Sequence, residues 1–204
     1  MNKITLIRVP ELIPTTSNAL TTPPVGLAYL ASYARSKGCP VRIIDALGEA
    51  LHQYTPWPER KGLVLHGLTC EQILERCMDS EVPRVSGVSN MFSQDWPLTR
   101  TLVGLIKKRY PDAIIILGGE HITATSEFCL KHFGPRTYCI EGEGEATLVE
   151  LLEAREQQKD VHEVEGISYL NEAGLYTHTF HRKRIKNIDD LPYPAWSLVT
   201  LEAY

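Results

Sequence analysis

Residues Ala113–Thr123 have the sequence Ala-Ile-Ile-Ile-Leu-Gly-Gly-Glu-His-Ile-Thr, a short aliphatic run that stops at two glycines. Such a run, rich in β-branched residues, is typical of a strand buried on both faces of a parallel sheet. Glycines at its carboxyl end, here Gly118 and Gly119, let a ligand approach the bare backbone, and ligands of open parallel sheets bind at that end. Taken alone, the pair is better explained as a turn, so the interpretation depends on the rest of the chain.

The segments on either side of this strand alternate between two hydrophobic patterns. Short β-branched runs predict four more strands, at Lys3–Val9, Pro40–Asp45, Arg84–Ser89 and Arg136–Ile140. Helical spacing predicts helices at Val25–Lys37, Pro97–Tyr110, Thr125–His132 and Ala146–Arg155, with a capping box that begins another at Thr69–Met78 and a short helix at Ala46–Gln53. Five alternations predict an α/β fold with a doubly wound, five-stranded parallel sheet of Rossmann or flavodoxin type.

Other segments fall outside this alternation. Pro10–Pro24 is predicted to be a long loop, a feature that in compact domains is usually functional. Tyr54–His66 is predicted to be an irregular insertion on the sheet edge, and Val164–Leu170 with Tyr176–Phe180 predicts a β-hairpin. Arg182–Tyr204 is expected to be a loosely held tail without a core of its own. The chain thus divides into a main domain (1–160), a hairpin appendage (161–181) and a tail (182–204).

Composition narrows the class of protein. The net charge is −4 and 43% of the residues are hydrophobic, which favours neither a nucleic-acid nor a membrane partner. The first strand begins at the N-terminus without a signal-peptide pattern, so a cytoplasmic protein is expected. The five cysteines are odd in number and contain no CxxC pair, which favours buried or semi-exposed free thiols over zinc ligands or disulfides.

Four segments would meet at the carboxyl edge of the predicted sheet: Pro10–Pro24, Ser89–Trp96, Gly118–Thr123 and Glu141–Glu145. Their glycine, serine and threonine content suits a large polar ligand held through main-chain groups. A dinucleotide fingerprint is excluded because 10–24 contains no glycine, and neither a Walker A loop nor the acidic residues of a receiver domain are present. Two interpretations of the glutamates in 141–145 are equally consistent with their chemistry. They stabilise the start of the next helix through its dipole, or they accept hydrogen bonds from a ligand.

Five segments, in order and covering nearly the whole chain, resemble the N-terminal cobalamin-binding domain of cobalamin-dependent radical S-adenosylmethionine (radical SAM) enzymes. The segments are Pro23–Ala31, Val85–Ser89, Gly118–Thr123, Glu141–Glu145 and the tail Ile185–Trp196, which is similar to the lead-in to the catalytic barrel of those enzymes. The tail at 182–204 is therefore interpreted as a linker toward an absent radical SAM barrel.

The resemblance implies that cobalamin lies across the strand ends, with its dimethylbenzimidazole tail between the Gly118-Gly119 and Glu141–Gly144 loops. The implied cofactor-binding residues are Ser89, Asn90, Met91, Phe92, Gly118, Gly119, Glu120, His121, Thr123, Glu141, Gly142, Glu143 and Gly144. Of these, Glu120, His121 and Thr123 would line the tail, and the segment 89–92 would lie beneath the corrin. Gly119→Leu is expected to abolish binding and to leave the fold intact. No catalytic or metal-ligating residue is implied.

Cobalamin mutases and corrinoid carriers bind cobalt through the histidine of a DxHxxG motif after the first strand, whereas 10–24 has no histidine. Base-off binding without a histidine ligand is therefore predicted, with a lower axial position that is empty, filled by water, or blocked by Asn90 or Met91.

The CxxxCxxC motif that holds the iron–sulfur cluster of radical SAM enzymes is missing. The cluster and S-adenosylmethionine would thus belong to a barrel in the same parent chain or in a separate subunit. The chain alone is expected to catalyse nothing, and its parent to be a methyltransferase, with cyclisation as an alternative chemistry. The rival interpretations are a cobalamin-free docking or substrate-capping domain and a flavodoxin-like binder of another nucleotide cofactor.

Overall fold

A computed structural model of the chain describes residues 3–17, 21–78 and 85–204. Residues 18–20 of the predicted loop, and Arg84 at the start of a predicted strand, lie outside the described residues. The strands are β1 Ile4–Arg8, β2 Glu11–Pro14, β3 Val41–Asp45, β4 Tyr54–Pro56, β5 Leu63–His66, β6 Val85–Ser89, β7 Ile114–Gly118, β8 Thr137–Ile140, β9 Ile167–Leu170 and β10 Tyr176–His178. The helices are α1 Val25–Ser36, α2 Cys70–Met78, α3 Trp96–Arg109, α4 Glu120–Phe133 and α5 Glu145–Glu156.

The central sheet has the strand order β10-β9-β8-β7-β6-β1-β3. The five strands from β8 to β3 are parallel, and the first strand of the chain lies between the second and third parallel strands, as in flavodoxin-like folds. The predicted fold class is therefore confirmed. Between β1 and β6 the chain changes the direction in which it adds strands, and in such sheets ligands bind at this switch point.

Helices cover both faces of the sheet, which explains the continuous apolar run of β7. Ile116 packs with α1 and α5 on one face, and Ile115 and Leu117 pack with α2, α3 and α4 on the other. A strand between two cores needs apolar residues at successive positions instead of alternate ones. The capping box predicted for α2 is present, since Gln72 Oε1 accepts from Thr69 N at 2.8 Å and Thr69 Oγ1 accepts from Gln72 N at 3.3 Å.

A second, antiparallel sheet of order β2-β5-β4 forms where the sequence predicted two irregular segments. β2 lies within the predicted loop 10–24, and β4 and β5 lie within the predicted insertion 54–66, so both predictions were wrong there. The prolines that suggested irregular chain, Pro14 and Pro56, are at strand ends, where a missing N–H is tolerated. Of the predicted helix 46–53, only Gly48–Ala50 is helical, as a short 3-10 segment.

Helix α4 begins at Glu120 instead of at the predicted Thr125. Gly119 has φ +104°, which lets the chain pass directly from β7 into the helix. Thr125 has non-helical torsions of φ −136° and ψ 27°, so a kink lies where the sequence predicted the helix to start. The predicted loop 118–123 is therefore mostly helix, and Glu120, His121 and Thr123 lie in its first turns.

The hairpin and the tail are both held against the main domain. Strand β9 pairs antiparallel with β8, so the hairpin continues the central sheet. In the tail, Ala195 N donates to Ala28 O of α1 at 2.9 Å, Val199 is buried and Trp196 is half-buried against the same core. The expectation of a loosely held tail was wrong for this part, while Ile188 and Tyr193 are exposed.

All five cysteines are buried, and no disulfide links them in the part of the chain that the structure describes. The prediction of buried thiols is confirmed. Among the helices of the described residues, none combines the length and the apolar character needed to cross a bilayer.

Candidate functional site

An open cleft lies between the central sheet and helices α1 and α5, at the switch point. Its floor is a register row in which Leu6 of β1 pairs with Gly87 of β6, and Gly87 pairs with Ile116 of β7. Gly87 adds no side chain to this row, and a Cβ there would lie 2.7 Å from Leu6 Cδ2. The walls are formed by Leu27, Leu30, Ile140 and Leu148. The cleft holds about 470 Å³ of empty space, including its part open to solvent.

The two glycines after β7 line the cleft but differ in their surroundings. A Cβ at Gly118 would meet nothing within 4 Å, so this position faces open space. A Cβ at Gly119 would lie 2.4 Å from the carbonyl oxygen of Asn90, and Gly119 also has a positive φ. Gly119→Leu would therefore disturb the β6–β7 connection, contrary to the expectation of an intact fold.

The segment after β6 presents two kinds of side chain. Asn90 is fully buried, and its Nδ2 donates to Thr99 Oγ1 of α3 at 2.6 Å. Met91 and Phe92 are instead exposed, by 49% and 60%. Ser89 lines the cleft at the end of β6. This segment thus offers a hydroxyl and two apolar side chains at the carboxyl edge, while the Asn90 amide is turned into the core.

His121 connects α4 to the segment after β6. Its Nδ1 lies 2.9 Å from Ser93 Oγ and its ring 5.4 Å from that of Trp96, and only 9% of the residue is exposed. Burial lowers the pKa of His121, so the imidazole is neutral at pH 7. It is not among the residues that line the cleft.

Thr123 joins the two glycine segments across the mouth of the cleft. Its Oγ1 accepts from Gly142 N at 3.2 Å, and its own N–H donates to Gly119 O at 3.0 Å. Glu120, in the same helical turn, is exposed. The structure therefore brings Gly118, Gly119, Thr123 and Gly142 together, as the sequence predicted.

The glutamates of 141–145 are engaged within the chain. Glu141 accepts hydrogen bonds from Ser168 Oγ of β9 and, at 3.4 Å, from Tyr176 OH of β10. Glu143 Oε2 accepts from Ile185 N of the tail at 2.5 Å, and Glu145 lies in the first turn of α5. Burial raises the pKa of Glu145. The carboxylates thus anchor the hairpin, tail and helix, whereas Gly142 and Gly144 line the cleft.

A second polar cluster lies at the carboxyl ends of β1 and β3. Tyr204 OH donates to Asp45 Oδ2 at 2.7 Å and accepts from Arg8 Nη1 at 2.8 Å, while Arg8 Nη2 donates to Glu11 at 2.9 Å. A Cβ at Gly48 would lie 2.8 Å from the Tyr204 ring, so glycine leaves room for it. Burial and the Asp45 contact raise the pKa of Tyr204. Sequence reasoning did not find this cluster.

Sequence reasoning also missed the aliphatic lining of the cleft. The missed residues are Leu6, Leu27, Leu30, Gly87, Val88, Ile116, Leu117, Ile140 and Leu148. One signal was available, because a glycine inside a strand often marks a close approach of ligand or backbone, and Gly87 is the middle residue of β6. Chemically, the site offers an open aliphatic cleft with a mouth of glycine backbone, which suits an apolar ring carried on a polar molecule.

Comparison with known proteins agrees with this description. The family model described as the B12 binding domain matches residues 13–152. An uncharacterised methyltransferase of Pyrococcus horikoshii is 26% identical over 98% of this chain and 40% of its own length. An anaerobic magnesium-protoporphyrin IX monomethyl ester cyclase of Synechocystis is 27% identical over 89% of this chain and 33% of its own length. The chain therefore spans well under half of these relatives.

A solved structure has the same fold. It is that of the cobalamin-dependent S-adenosylmethionine radical enzyme OxsB with aqua-cobalamin and S-adenosylmethionine bound, and it matches with a TM-score of 0.76 and 22% identity. The match covers 98% of this chain and 25% of that one. The cleft therefore occurs in a fold that includes a cobalamin-binding enzyme.

Proposed function

This chain belongs to the B12-binding domain family, and on that premise we propose that it binds cobalamin base-off, with the dimethylbenzimidazole tail in the aliphatic cleft. The observation that carries the proposal is the cleft at the switch point, floored by Leu6, Gly87 and Ile116. The corrin would lie over the carboxyl ends of β6 and β7. The family match and the resemblance of the five sequence segments support this placement.

The residues present fit this cofactor. A substituted benzimidazole is flat and apolar, and the leucine and isoleucine walls would remove it from water at a gain of about 25 cal/mol per Å². The glycines at the mouth allow close approach of the nucleotide loop to the backbone. Met91 and Phe92 are exposed at the adjoining edge and would be covered by the corrin.

We propose that no histidine of this chain coordinates cobalt. His121 is nearly buried, bonds to Ser93 and does not line the cleft. Asn90 is fully buried and its Nδ2 donates to Thr99, so of the two residues considered for the lower axial position, Met91 is the one with an exposed side chain. A weak or absent lower donor would favour the reduced state of the cofactor.

The parent protein is proposed to be a cobalamin-dependent radical SAM methyltransferase. When bound, methylcobalamin would supply a methyl group for transfer to a substrate carbon or phosphorus radical. The barrel, its iron–sulfur cluster and S-adenosylmethionine would belong to the remaining part of the parent or to another subunit. The methyltransferase among the relatives supports this class, and the cyclase among them keeps cyclisation as the alternative. A cytoplasmic location and the division into segments at 160 and 181 remain predictions.

Gly118→Leu tests the placement of the ligand. Gly118 is on the same face of β7 as Ile116, and a side chain there would extend into open space within the cleft. We expect this variant to fold and to lose at least about tenfold in cobalamin affinity, since burial of the base would be blocked. Gly104→Leu is the matched control, because a Cβ at this exposed site on α3 also meets nothing within 4 Å.

The measurement is an absorbance titration with hydroxocobalamin and methylcobalamin, followed by gel filtration to remove free ligand. Retention with a base-off spectrum supports the proposal. Retention with a base-on or histidine-ligated spectrum contradicts the coordination, and undiminished affinity of Gly118→Leu contradicts the placement. A folded chain that retains no corrinoid contradicts cobalamin binding and favours the docking-domain interpretation.

A further inference from the structure

We propose that the cleft selects among corrinoids by their lower base, taking a benzimidazole and discriminating against adenine. This inference rests on the proposed function, since it requires that the nucleotide end of the corrinoid enters the cleft. Dimethylbenzimidazole presents methyl groups on the edge where adenine presents an amine and ring nitrogens. The lining of the cleft determines which of these edges can be buried without losing hydrogen bonds to water.

The side chains that line the cleft are almost entirely aliphatic. Of the described residues in the lining, Ser89 alone has a polar side chain, and it lies at the end of β6, toward the mouth. The inner surface is formed by Leu6 and Ile116 of the floor and by the leucines and isoleucine of the walls. A polar base edge would thus find no side-chain partner in the inner part of the cleft.

Several backbone carbonyl groups of the cleft are also engaged. On the floor, β6 pairs with β1 on one side and with β7 on the other along the row that contains Gly87. At the mouth, Gly118 O accepts from Asn90 N at 2.8 Å, Gly119 O from Thr123 N at 3.0 Å and Gly144 O from Leu148 N at 2.8 Å. These carbonyl groups are therefore already engaged and do not replace the water that the adenine amine loses on burial.

A buried polar group without a partner is costly, whereas a methyl group in the same place gains from burial. The cost of one such group corresponds to about tenfold to hundredfold in affinity. We expect cobalamin to bind at least about tenfold more tightly than the cobamide that carries adenine. Cobinamide, which has no nucleotide, would lack the contribution of the cleft and bind more weakly than cobalamin.

The experiment compares the dissociation constants of cobalamin, adeninylcobamide and cobinamide for the purified chain by absorbance titration. Tighter binding of cobalamin than of both others supports the proposal. Equal affinity of cobalamin and adeninylcobamide overturns base selection, provided that cobinamide is weaker. If cobinamide binds as tightly as cobalamin, the nucleotide does not enter the cleft, and the proposal that the cleft selects the lower base is overturned. If no corrinoid binds, the proposed function itself has failed.

A variant at Leu30 shows whether the cleft wall is responsible. Leu30 is half-buried, so Leu30→Asn places an amide in the wall at modest cost to the fold. We expect the preference for cobalamin over adeninylcobamide to fall at least threefold, because the amide offers the adenine edge a hydrogen-bond partner. Leu105→Asn is the control, since Leu105 is equally half-buried but packs on the opposite face of the sheet. An unchanged ratio in Leu30→Asn, with cobalamin still bound, contradicts a role for this wall.

Discussion

Gly118 and Gly119 are neighbours in the chain, yet a methyl group would meet open space at the first and the backbone of Asn90 at the second. At Gly119 it would lie 2.4 Å from the Asn90 carbonyl oxygen, at a φ of +104° that other residues rarely adopt. We expect Gly119→Ala to lower the free energy of unfolding by about 2–4 kcal/mol, the sum of backbone strain and overpacking. Gly118→Ala should stay within about 1 kcal/mol of the parent chain in urea unfolding. Equal stability of the two variants would contradict the close approach.

Asp95 is a buried carboxyl group whose ionisation the fold opposes. It is 3% exposed and accepts from Leu12 N at 2.8 Å. Burial raises its pKa from 3.8 to about 6, with Glu11 adding to the rise and Arg8 opposing it. The folded chain therefore binds this proton more tightly than the unfolded chain does. The contribution of Asp95 to stability is favourable below about pH 4 and is lost as the pH rises through about 6.

Asp95→Asn is expected to raise the free energy of unfolding at pH 7.5 by about 2–3 kcal/mol, since the amide oxygen can still accept from Leu12 N and no charge is buried. At pH 4 the difference from the parent should nearly vanish. Urea unfolding across this pH range is the measurement. Asp112→Asn is the control, because its carboxyl group is 93% exposed. A difference that does not change with pH would show that Asp95 does not titrate as described.

At the scale of the element, parallel strands and their helices were predictable because each carries its own hydrophobic pattern. The run Ile114–Leu117 and the Thr69–Gln72 capping box are local signals, and both formed as predicted. Strands β2, β4 and β5 were not predicted, because they are only three or four residues long and β2 pairs with β5, which is distant in sequence. The predicted start of helix α4, Thr125, lies after the observed start at Glu120. The observed start depends on the backbone conformation of Gly119, which no side-chain pattern indicates.

The hairpin is held to the sheet by a polar network at Glu141. Tyr176 OH lies 3.0 Å from Ser126 Oγ of α4 and 3.4 Å from Glu141 Oε1, and Ser168 also donates to Glu141. We expect Tyr176→Phe to lower the free energy of unfolding by about 1 kcal/mol and to speed amide hydrogen exchange in β9 and β10. Glu165→Gln, at an exposed site before β9, should change neither quantity. Unchanged exchange in Tyr176→Phe would mean that the network does not hold the hairpin.

At the scale of the whole molecule, the tail crosses α5 and α1 and returns to the sheet edge. Arg182 bonds to Thr147 and Glu150 of α5, Ala195 to Ala28 of α1, and Tyr204 to Asp45. These partners are far apart in sequence, and no periodicity links them. The candidate glycines could be found from local sequence, whereas the tail contacts and the aliphatic lining needed the assembled fold.

Tyr204→Phe tests the last of these contacts. The change removes the donor to Asp45, which is 2% exposed, and the acceptor for Arg8. We expect the free energy of unfolding to fall by about 1–3 kcal/mol, because the Asp45 carboxylate loses a partner in a buried place. Tyr193→Phe, at a residue that is 94% exposed, should have no effect in the same denaturation experiment. Equal stability of Tyr204→Phe and the parent chain would indicate that the contacts of Tyr204 do not stabilise the fold.

The middle glycine of β6 has a thermodynamic consequence. Gly87 leaves room for the Leu6 side chain, and both line an open cleft whose aliphatic wall includes the half-buried Leu30, so part of this apolar lining meets water. If the cofactor covers that surface, its binding should have a negative heat-capacity change, seen in calorimetry as an enthalpy that becomes more exothermic on warming. Binding should also raise the melting temperature with ligand concentration. The cofactor would then cover apolar lining that the folded chain leaves open to solvent.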